Sequence, residues 1–191
     1  CSGEIGERLS SELSNVECLN FVGNRGLGSA LREGFCRAKN TTVVYTDMDM
    51  PFEFEKLKEI LPLTQEFSYI HGVRVGKRES LVRRLTSNSY NTFLNKVLGA
   101  SARDINFALK VIDRDLLGQL DLKSEKSFID AEIYFKVLFL GVEIKRYPIV
   151  YMPRIMGKSH LFSFHNVFWI IWEFILLAPE VLSYRGRKRV Y

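Results

Sequence analysis

A chain of 191 residues with 47% hydrophobic content can bury one sizeable core, and it is too apolar to be disordered along its whole length. Its 27 Lys and Arg against 22 Asp and Glu leave a formal net charge of +5, which suits phosphate-bearing substrates, anionic lipid or nucleic acid without choosing among them. Cys1, Cys18 and Cys36 have no metal-ligand spacing, and an odd number argues against a disulfide framework, so a reducing, cytosol-facing location is expected.

No signal peptide opens the chain, which starts at Cys1 without an initiator Met in what reads as mid-domain sequence, so a fragment is expected. Asn15 to Val22 reads as a strand and Gly23-Asn24-Arg25-Gly26 as a turn. Ser29 to Lys39 is helical in pattern, with Ala30, Leu31, Phe35 and Ala38 on its inner side. Thr42 to Thr46 is the next strand, apolar and β-branched as if buried on both faces. A helix over Glu53 to Leu61 is closed by Pro62, and Phe67 to Val73 is extended again. Ser80 to Leu98 predicts a long helix, Phe107 to Ile112 a short extended segment, Phe128 to Leu140 a helix stopped by Gly141, and Val142 to Tyr151 the last strand. Strand-length runs alternating with helical ones predict an α/β domain with a mostly parallel sheet over residues 1 to 160.

The motif with most chemistry in it is Asp47-Met48-Asp49, which follows the run Thr42 to Thr46. Two carboxylates at the end of a strand make a site for a hard divalent cation such as Mg²⁺ or Mn²⁺, which keeps positions open for substrate phosphates. Taken alone, Asp49-Met50-Pro51 is equally a turn that opens a helix. The glycine loop from Asn24 to Gly34 has Leu31 where the third glycine of a dinucleotide fingerprint would fall, which disfavours a dehydrogenase. Its glycines permit a tight turn, with Ser29 as the cap of a helix whose N-terminus favours anions.

The ordered set Asn24 to Gly34, Val43 to Asp49, Gly72-Val73-Arg74, Arg83-Arg84-Leu85-Thr86-Ser87, Asp104, Asp130-Ala131-Glu132 and Pro153 to Ser159 resembles a family 2 glycosyltransferase of GT-A fold. Within that family it is most similar to the dolichol-phosphate mannose synthase type, which loads a sugar onto a polyprenyl phosphate. The resemblance spans roughly residues 1 to 161 and implies a nucleotide-diphosphate sugar donor, UDP- or GDP-linked, with inversion at the transferred sugar. It implies Asp47 and Asp49 at the metal, with Asp49 the more direct ligand, and Arg74, Arg83, Ser87 and Arg154 at donor or acceptor phosphates. Asp49 and Arg154 are the catalytic assignments. Guanidinium groups suit such positions, since they pair with phosphate bidentately and stay charged at any relevant pH. Lys77, Arg78, Arg83 and Arg84 are also what a solvated loop and helix start would carry.

Two departures stand out. Pro51 takes the place of a glutamine that the mannose synthase type usually has, and the family's opening strands, with their paired aspartates, are missing before Cys1. A phosphate acceptor, already anionic near neutral pH, has less need of a general base. A hydroxyl acceptor needs one, and Asp130 or Glu132 would then serve, although two residues this close on a helix cannot share a face. Otherwise both are acidic charges at a helix N-terminus.

From Leu161 the chain is dominated by Phe162, Phe164, Phe168, Trp169, Trp172 and Phe174, and it ends in Arg185-Gly186-Arg187-Lys188-Arg189. Asn166, Glu173 and Glu180, seven residues apart, predict one polar stripe on an apolar helix over 161–191. That helix lies at a membrane surface on the cytoplasmic side rather than spanning it, or packs on the domain or a neighbouring subunit. Aromatics gathered in the tail, away from most basic residues, speak against nucleic acid. The alternatives are a transferase with a glycan or soluble acceptor, and a truncated, non-catalytic GT-A-like binding protein.

Overall fold

The computed structural model describes residues 2–49, 52–76, 81–152 and 164–187. In chain order these form α1 (Ser2–Glu12), α2 (Leu27–Arg37), β1 (Thr42–Thr46), α3 (Lys56–Ile60) running into a 3-10 helix (Leu61–Gln65), β2 (Tyr69–Val75) and α4 (Leu81–Leu98). Then follow β3 (Leu109–Asp113), α5 (Arg114–Gln119), α6 (Ile129–Phe139), β4 (Ile144–Val150) and α7 (Phe164–Ser183).

The strands make one sheet in the order β1-β3-β2-β4. β3 runs antiparallel to both β1 and β2, while β2 and β4 are parallel. The expected mostly parallel sheet is therefore a mixed one. Apolar runs record that a strand is buried, but not which way its neighbour points. β1 is an edge strand of alternating burial, with Val43 and Tyr45 buried and the rest half-buried, so it is not covered on both faces as its composition suggested.

Asn15 to Val22, expected as a strand, joins no sheet, and Val22 is fully out in solvent. A β-prone run becomes a strand only where a neighbouring edge takes its backbone hydrogen bonds. The helix expected from Ser29 begins two residues earlier, at Leu27, with Gly26 as its N-cap at φ 91°. Ser29 is thus inside the first turn rather than the cap, and its N–H donates to the Glu125 carbonyl at 3.1 Å. A Cβ on Gly28 would lie 2.3 Å from the Ser124 carbonyl oxygen, so this glycine serves close helix-to-loop packing.

Period-two alternation sends the strand side chains into two cores. On one face Val43, Tyr69 and Ile112 pack with Leu94 and Leu98 of α4, Leu116 of α5, Ile129 and Ile133 of α6, and Phe174 and Val181 of α7, while Leu31, Phe35 and Ala38 close the α2 side. On the other, Ile70, Leu109, Val111 and Ile149 pack with Leu57 and Ile60 of α3 and with Phe52.

Two members of the tail helix's polar stripe, Glu173 and Glu180, face the protein, while the side chain of Asn166 lies outside the described residues. Glu173, only 8% exposed, accepts from the backbone N–H groups of Glu125 and Lys126 at 2.8 Å and from the Ser124 hydroxyl at 3.0 Å. Glu180 takes the Lys136 ammonium at 2.8 Å. A free interfacial helix would have turned these carboxylates to water. Here unsatisfied donors of the 124–128 loop draw them inward, since a buried N–H without a partner costs about 1–3 kcal/mol. Among the described residues no helix is long and apolar enough to cross a membrane.

Candidate functional site

Because β3 is antiparallel to both β1 and β2, and β4 is parallel to β2, the strands β1, β2 and β4 all run in one direction. Their carboxyl ends form one rim of the sheet. Ligands of α/β proteins collect outside such ends, where loops are free to carry chemistry. The rim receives Asp47 and Asp49 after β1, Arg74 near the end of β2, and the chain leaving β4 at Val150. The loop into β3, Asp104 to Phe107, comes to the same rim from the opposite direction. β1 and β2 are separated only by β3, which puts their axes about 10 Å apart at two strand spacings.

Asp47 is half-buried, whereas Met48 and Asp49 project into solvent on the turn. Beneath them, Tyr45 is buried at 6% exposure, and its phenol is pushed well above the ordinary range by burial first, then by the charges of Asp130 and Asp47. The Lys110 ammonium lies 5.1 Å from the Tyr45 ring centroid, ion-pairs with Asp130 and donates to the Phe107 carbonyl at 3.0 Å. Asp130 is thus a buried partner of Lys110, its carboxyl raised by desolvation against the lowering pull of that lysine.

Glu132 points elsewhere, as two positions one residue apart on a helix must. It accepts from the backbone N–H groups of Lys123 and Ser124 and from the Lys136 ammonium, all at 2.8 Å. Neither carboxylate lies at a helix surface as a solvated N-terminal charge, and both are sealed in the core with dedicated partners. The base role considered for a hydroxyl acceptor has no open carboxylate on α6 to fill it.

Arg74 is gripped rather than mobile. Asp104 accepts from its Nε at 2.8 Å, from its Nη2, and from its backbone N–H at 2.7 Å. The guanidinium also lies 5.7 Å from the Phe107 ring and 5.8 Å from that of Tyr151. Asp104 holds φ 55°, a left-handed conformation that asparagine and aspartate tolerate best among residues with a Cβ. Its signal in the sequence was its place before an extended segment, which named no partner. Lys110 gave no signal, being one lysine in an otherwise apolar strand.

Arg83 and Ser87 fall on the first half of α4, where side chains lie outside the described residues, as do Arg154, Lys77, Arg78, Met50 and Pro51 altogether. The structure therefore brings together Asp47, Tyr45, Lys110 and Asp130, and separately Arg74, Asp104, Phe107 and Tyr151.

His71 joins the two groups. The register places Tyr45 opposite Lys110, Lys110 opposite His71 and His71 opposite Arg146, one transverse row across the sheet. The His71 Nε2 lies 3.2 Å from the Asp104 carbonyl, and its Nδ1 lies 3.4 Å from the Tyr69 hydroxyl. A neutral imidazole satisfies both, Nε2–H donating and Nδ1 accepting. Burial first, and the Lys110 charge second, push its pKa down from 6.5 to about 3.

The unfolded chain takes up a proton at this histidine below pH 6.5, whereas the folded one does not until about pH 3. Stability contributed by the neutral ring is complete above that window and is lost as pH falls through it, at about 1.4 kcal/mol per pH unit. Urea unfolding across this range should show that slope, and His71→Gln should reduce it. Parallel profiles for the two proteins would remove the assignment.

As to the fit of a metal, the carboxylates of Asp47 and Asp49 are two hard oxygen donors that would serve as ligands, and the adjacent Thr46 hydroxyl is buried with no hydrogen-bond partner among the described residues. No group of three or more His, Cys, Asp or Glu that could hold a metal occurs among them. Such a donor set fits Mg²⁺ or Mn²⁺, which bind through one or two carboxylates and complete their shell with phosphate oxygens and water.

No family model matches the chain. It is 24% identical over 160 residues to glycosyltransferase AglD of Haloferax volcanii, covering 79% of this chain and 26% of that protein. It is 28% identical over 107 residues to the undecaprenyl-phosphate 4-deoxy-4-formamido-L-arabinose transferase of Pectobacterium atrosepticum, covering 54% of this chain and 32% of that one. The chain thus spans well under half the length of these curated relatives. Among solved structures it shares the fold of glucosyl-3-phosphoglycerate synthase from Mycobacterium tuberculosis in complex with Mn²⁺, UDP-glucose and phosphoglyceric acid. The TM-score is 0.59 at 15% identity, covering 85% of this chain and 57% of that one. The same synthase with Mg²⁺ and UDP gives a TM-score of 0.60 at 18% identity, covering 82% and 56%. The sequence relatives are sugar transferases, which supports reading the chain as part of an enzyme, and the likeness to the synthase is one of fold alone.

Proposed function

We propose that the protein is a family 2 glycosyltransferase that moves a sugar from a UDP- or GDP-linked donor to a polyprenyl phosphate with the help of Mg²⁺ or Mn²⁺. The observation that carries this reading is the shared rim, which sets the Asp47 and Asp49 carboxylates and the Arg74 guanidinium at the carboxyl ends of strands running one way. The undecaprenyl-phosphate transferase among the relatives supports the lipid acceptor, and the metal and UDP-glucose in the fold neighbour support the donor.

Asp47 and Asp49 would hold the cation, whose charge stabilises the departing nucleoside diphosphate. Arg74, its plane fixed by Asp104, is a preorganised donor to phosphate and needs little rearrangement as charge builds. Arg83, Ser87 and Arg154 complete the phosphate set in this proposal. The burial of Asp130 and Glu132 favours an acceptor that is already anionic, because in-line attack by a phosphate oxygen requires no proton removal. In-line attack inverts the sugar carbon.

A soluble phosphorylated acceptor is the second reading, favoured by the phosphoglyceric acid held in the fold neighbour. The test is to incubate the protein with UDP- and GDP-sugars, Mg²⁺ or Mn²⁺, and either undecaprenyl phosphate in detergent or phosphoglyceric acid. A lipid-linked sugar is the expected product. Product from phosphoglyceric acid alone would move the assignment to the second reading, and no product from any pair would overturn both.

A further inference from the structure

With Glu173 and Glu180 anchored inward, α7 presents to solvent an adjoining side, and that side is apolar. Trp169, Ile171, Trp172, Ile175 and Leu176 are 38–58% exposed. On a helix of 3.6 residues per turn these five positions cover one continuous arc, which faces away from the buried Phe174 and Val181 and is bordered by Glu173. α4 extends the surface: its Phe93 ring meets Phe174 edge-on at 5.2 Å, and Phe93 and Val97, one helical turn apart, are 45% and 47% exposed. Seven large apolar side chains on adjoining helices make a patch of the kind that marks an interaction surface in a soluble protein.

Among the described residues the charges around this patch are mostly basic, with Glu125 the exposed acid beside Lys126. Lys126 lies 5.8 Å from the Trp169 ring, Lys96 is exposed on α4 between Phe93 and Val97, and Arg187 follows α7 in solvent, while Arg185 donates to the Leu98 carbonyl and lies 4.7 Å from the Phe139 ring. The carboxylates of α7, Glu173 and Glu180, are both turned to the protein, and α4 carries none. Apolar side chains with indole rings at the water boundary and a border in which described cations outnumber the exposed Glu125 match the headgroup level of an anionic bilayer. A second copy of the chain would bring the same cations against themselves.

We propose that the α4–α7 face docks the protein on anionic lipid, with Trp169, Trp172, Ile175 and Leu176 entering the headgroup boundary and Lys96, Lys126 and Arg187 meeting lipid phosphates. The proposal rests on this surface alone and stands whether or not the sugar transfer proposed above is found.

The chain has two tryptophans, and both lie on this face, so intrinsic fluorescence reads it directly. Adding phosphatidylglycerol vesicles should shift the emission to the blue and carry the protein into the vesicle fraction, and neutral phosphatidylcholine vesicles should do so weakly. Each cation near the surface strengthens partitioning roughly fivefold at low salt, so high salt should release most of the protein. Ile175→Glu with Leu176→Glu should weaken binding by at least about tenfold, since both side chains lose apolar burial. Both positions are exposed, and an unchanged circular-dichroism melt would show that the fold persists. Binding by the double variant equal to that of the wild type would overturn the proposal, as would no binding by a folded wild type. A concentration-dependent dimer that the same variant abolishes, without vesicle binding, would reassign the face to self-association. Sugar transfer in detergent is scored separately, so loss of vesicle binding and loss of the reaction are distinguishable.

Discussion

Asp49→Ala is expected to abolish sugar transfer while leaving the protein folded. Asp49 is exposed on the turn after β1 and belongs to neither hydrophobic core, so its removal should change stability by no more than about 0.5 kcal/mol. Its loss from the proposed metal pair leaves Asp47 as the one carboxylate, and a cation held by a single protein ligand loses both affinity and placement. Metal-borne charge stabilisation is worth several kcal/mol in a transition state, which corresponds to at least about a thousandfold in rate.

The matching expectation for the wild-type protein is that a chelator stops turnover and that added Mn²⁺ or Mg²⁺ restores it. Mn²⁺ binding, measured without substrate, should weaken in Asp49→Ala in step with the loss of activity. Turnover by the variant at the wild-type rate would remove the metal assignment, and undiminished activity in chelator would remove the metal from the reaction altogether.

Lys110→Met should be the most damaging single substitution for stability. The Lys110 side chain is fully buried and its partner Asp130 is 7% exposed, so the methionine would leave a carboxylate sealed in the core with no counter-charge. Breaking a buried pair by removing one partner costs about 3–5 kcal/mol, more than many domains can lose and remain folded. The pH dependence carries the sign. Without Lys110 the pull that lowers the Asp130 carboxyl is gone and desolvation alone acts, so the folded state holds that proton to higher pH than the unfolded chain. Stability of the variant is then greatest in acid and falls as pH rises through the raised value, so its deficit against wild type widens toward neutrality.

Lys110→Met combined with Asp130→Leu removes both charges and should recover much of the loss. Urea unfolding of the three variants measures it. A deficit under about 1 kcal/mol for the single variant, well below the cost of an orphaned buried charge, would mean that water reaches the pair.

Several parts of this architecture were legible because their causes are local. The run Thr42 to Thr46 is a strand, the pattern Ser80 to Leu98 a long helix and Phe128 to Leu140 a helix ended by Gly141, which takes φ 71°. Side-chain periodicity and glycine chemistry act within a few residues. Asn15 to Val22 misled for the same reason: its composition suits a strand, but pairing depends on an edge supplied from elsewhere. Asp130 and Glu132 were legible as a pair that could not share a face, whereas Lys110 on β3 and the loop at 123–124, which bind them alongside Lys136 of their own helix, lie elsewhere in the chain. The tail showed its stripe of Asn166, Glu173 and Glu180 but not which way it would turn.

By itself the sequence determined an acidic turn at the end of a strand, arginines suited to phosphate and a tail too apolar to be left wholly in water, because charge, hydropathy and helical period belong to the residues themselves. The tertiary structure alone decided that β3 runs against its neighbours, that Arg74 is held by Asp104, that Lys110 and His71 line a buried row beneath the rim, and that α7 turns its carboxylates inward. Each of these is a pairing between groups distant in the chain. Such pairings are settled by which buried donors and charges must find partners once the two cores close.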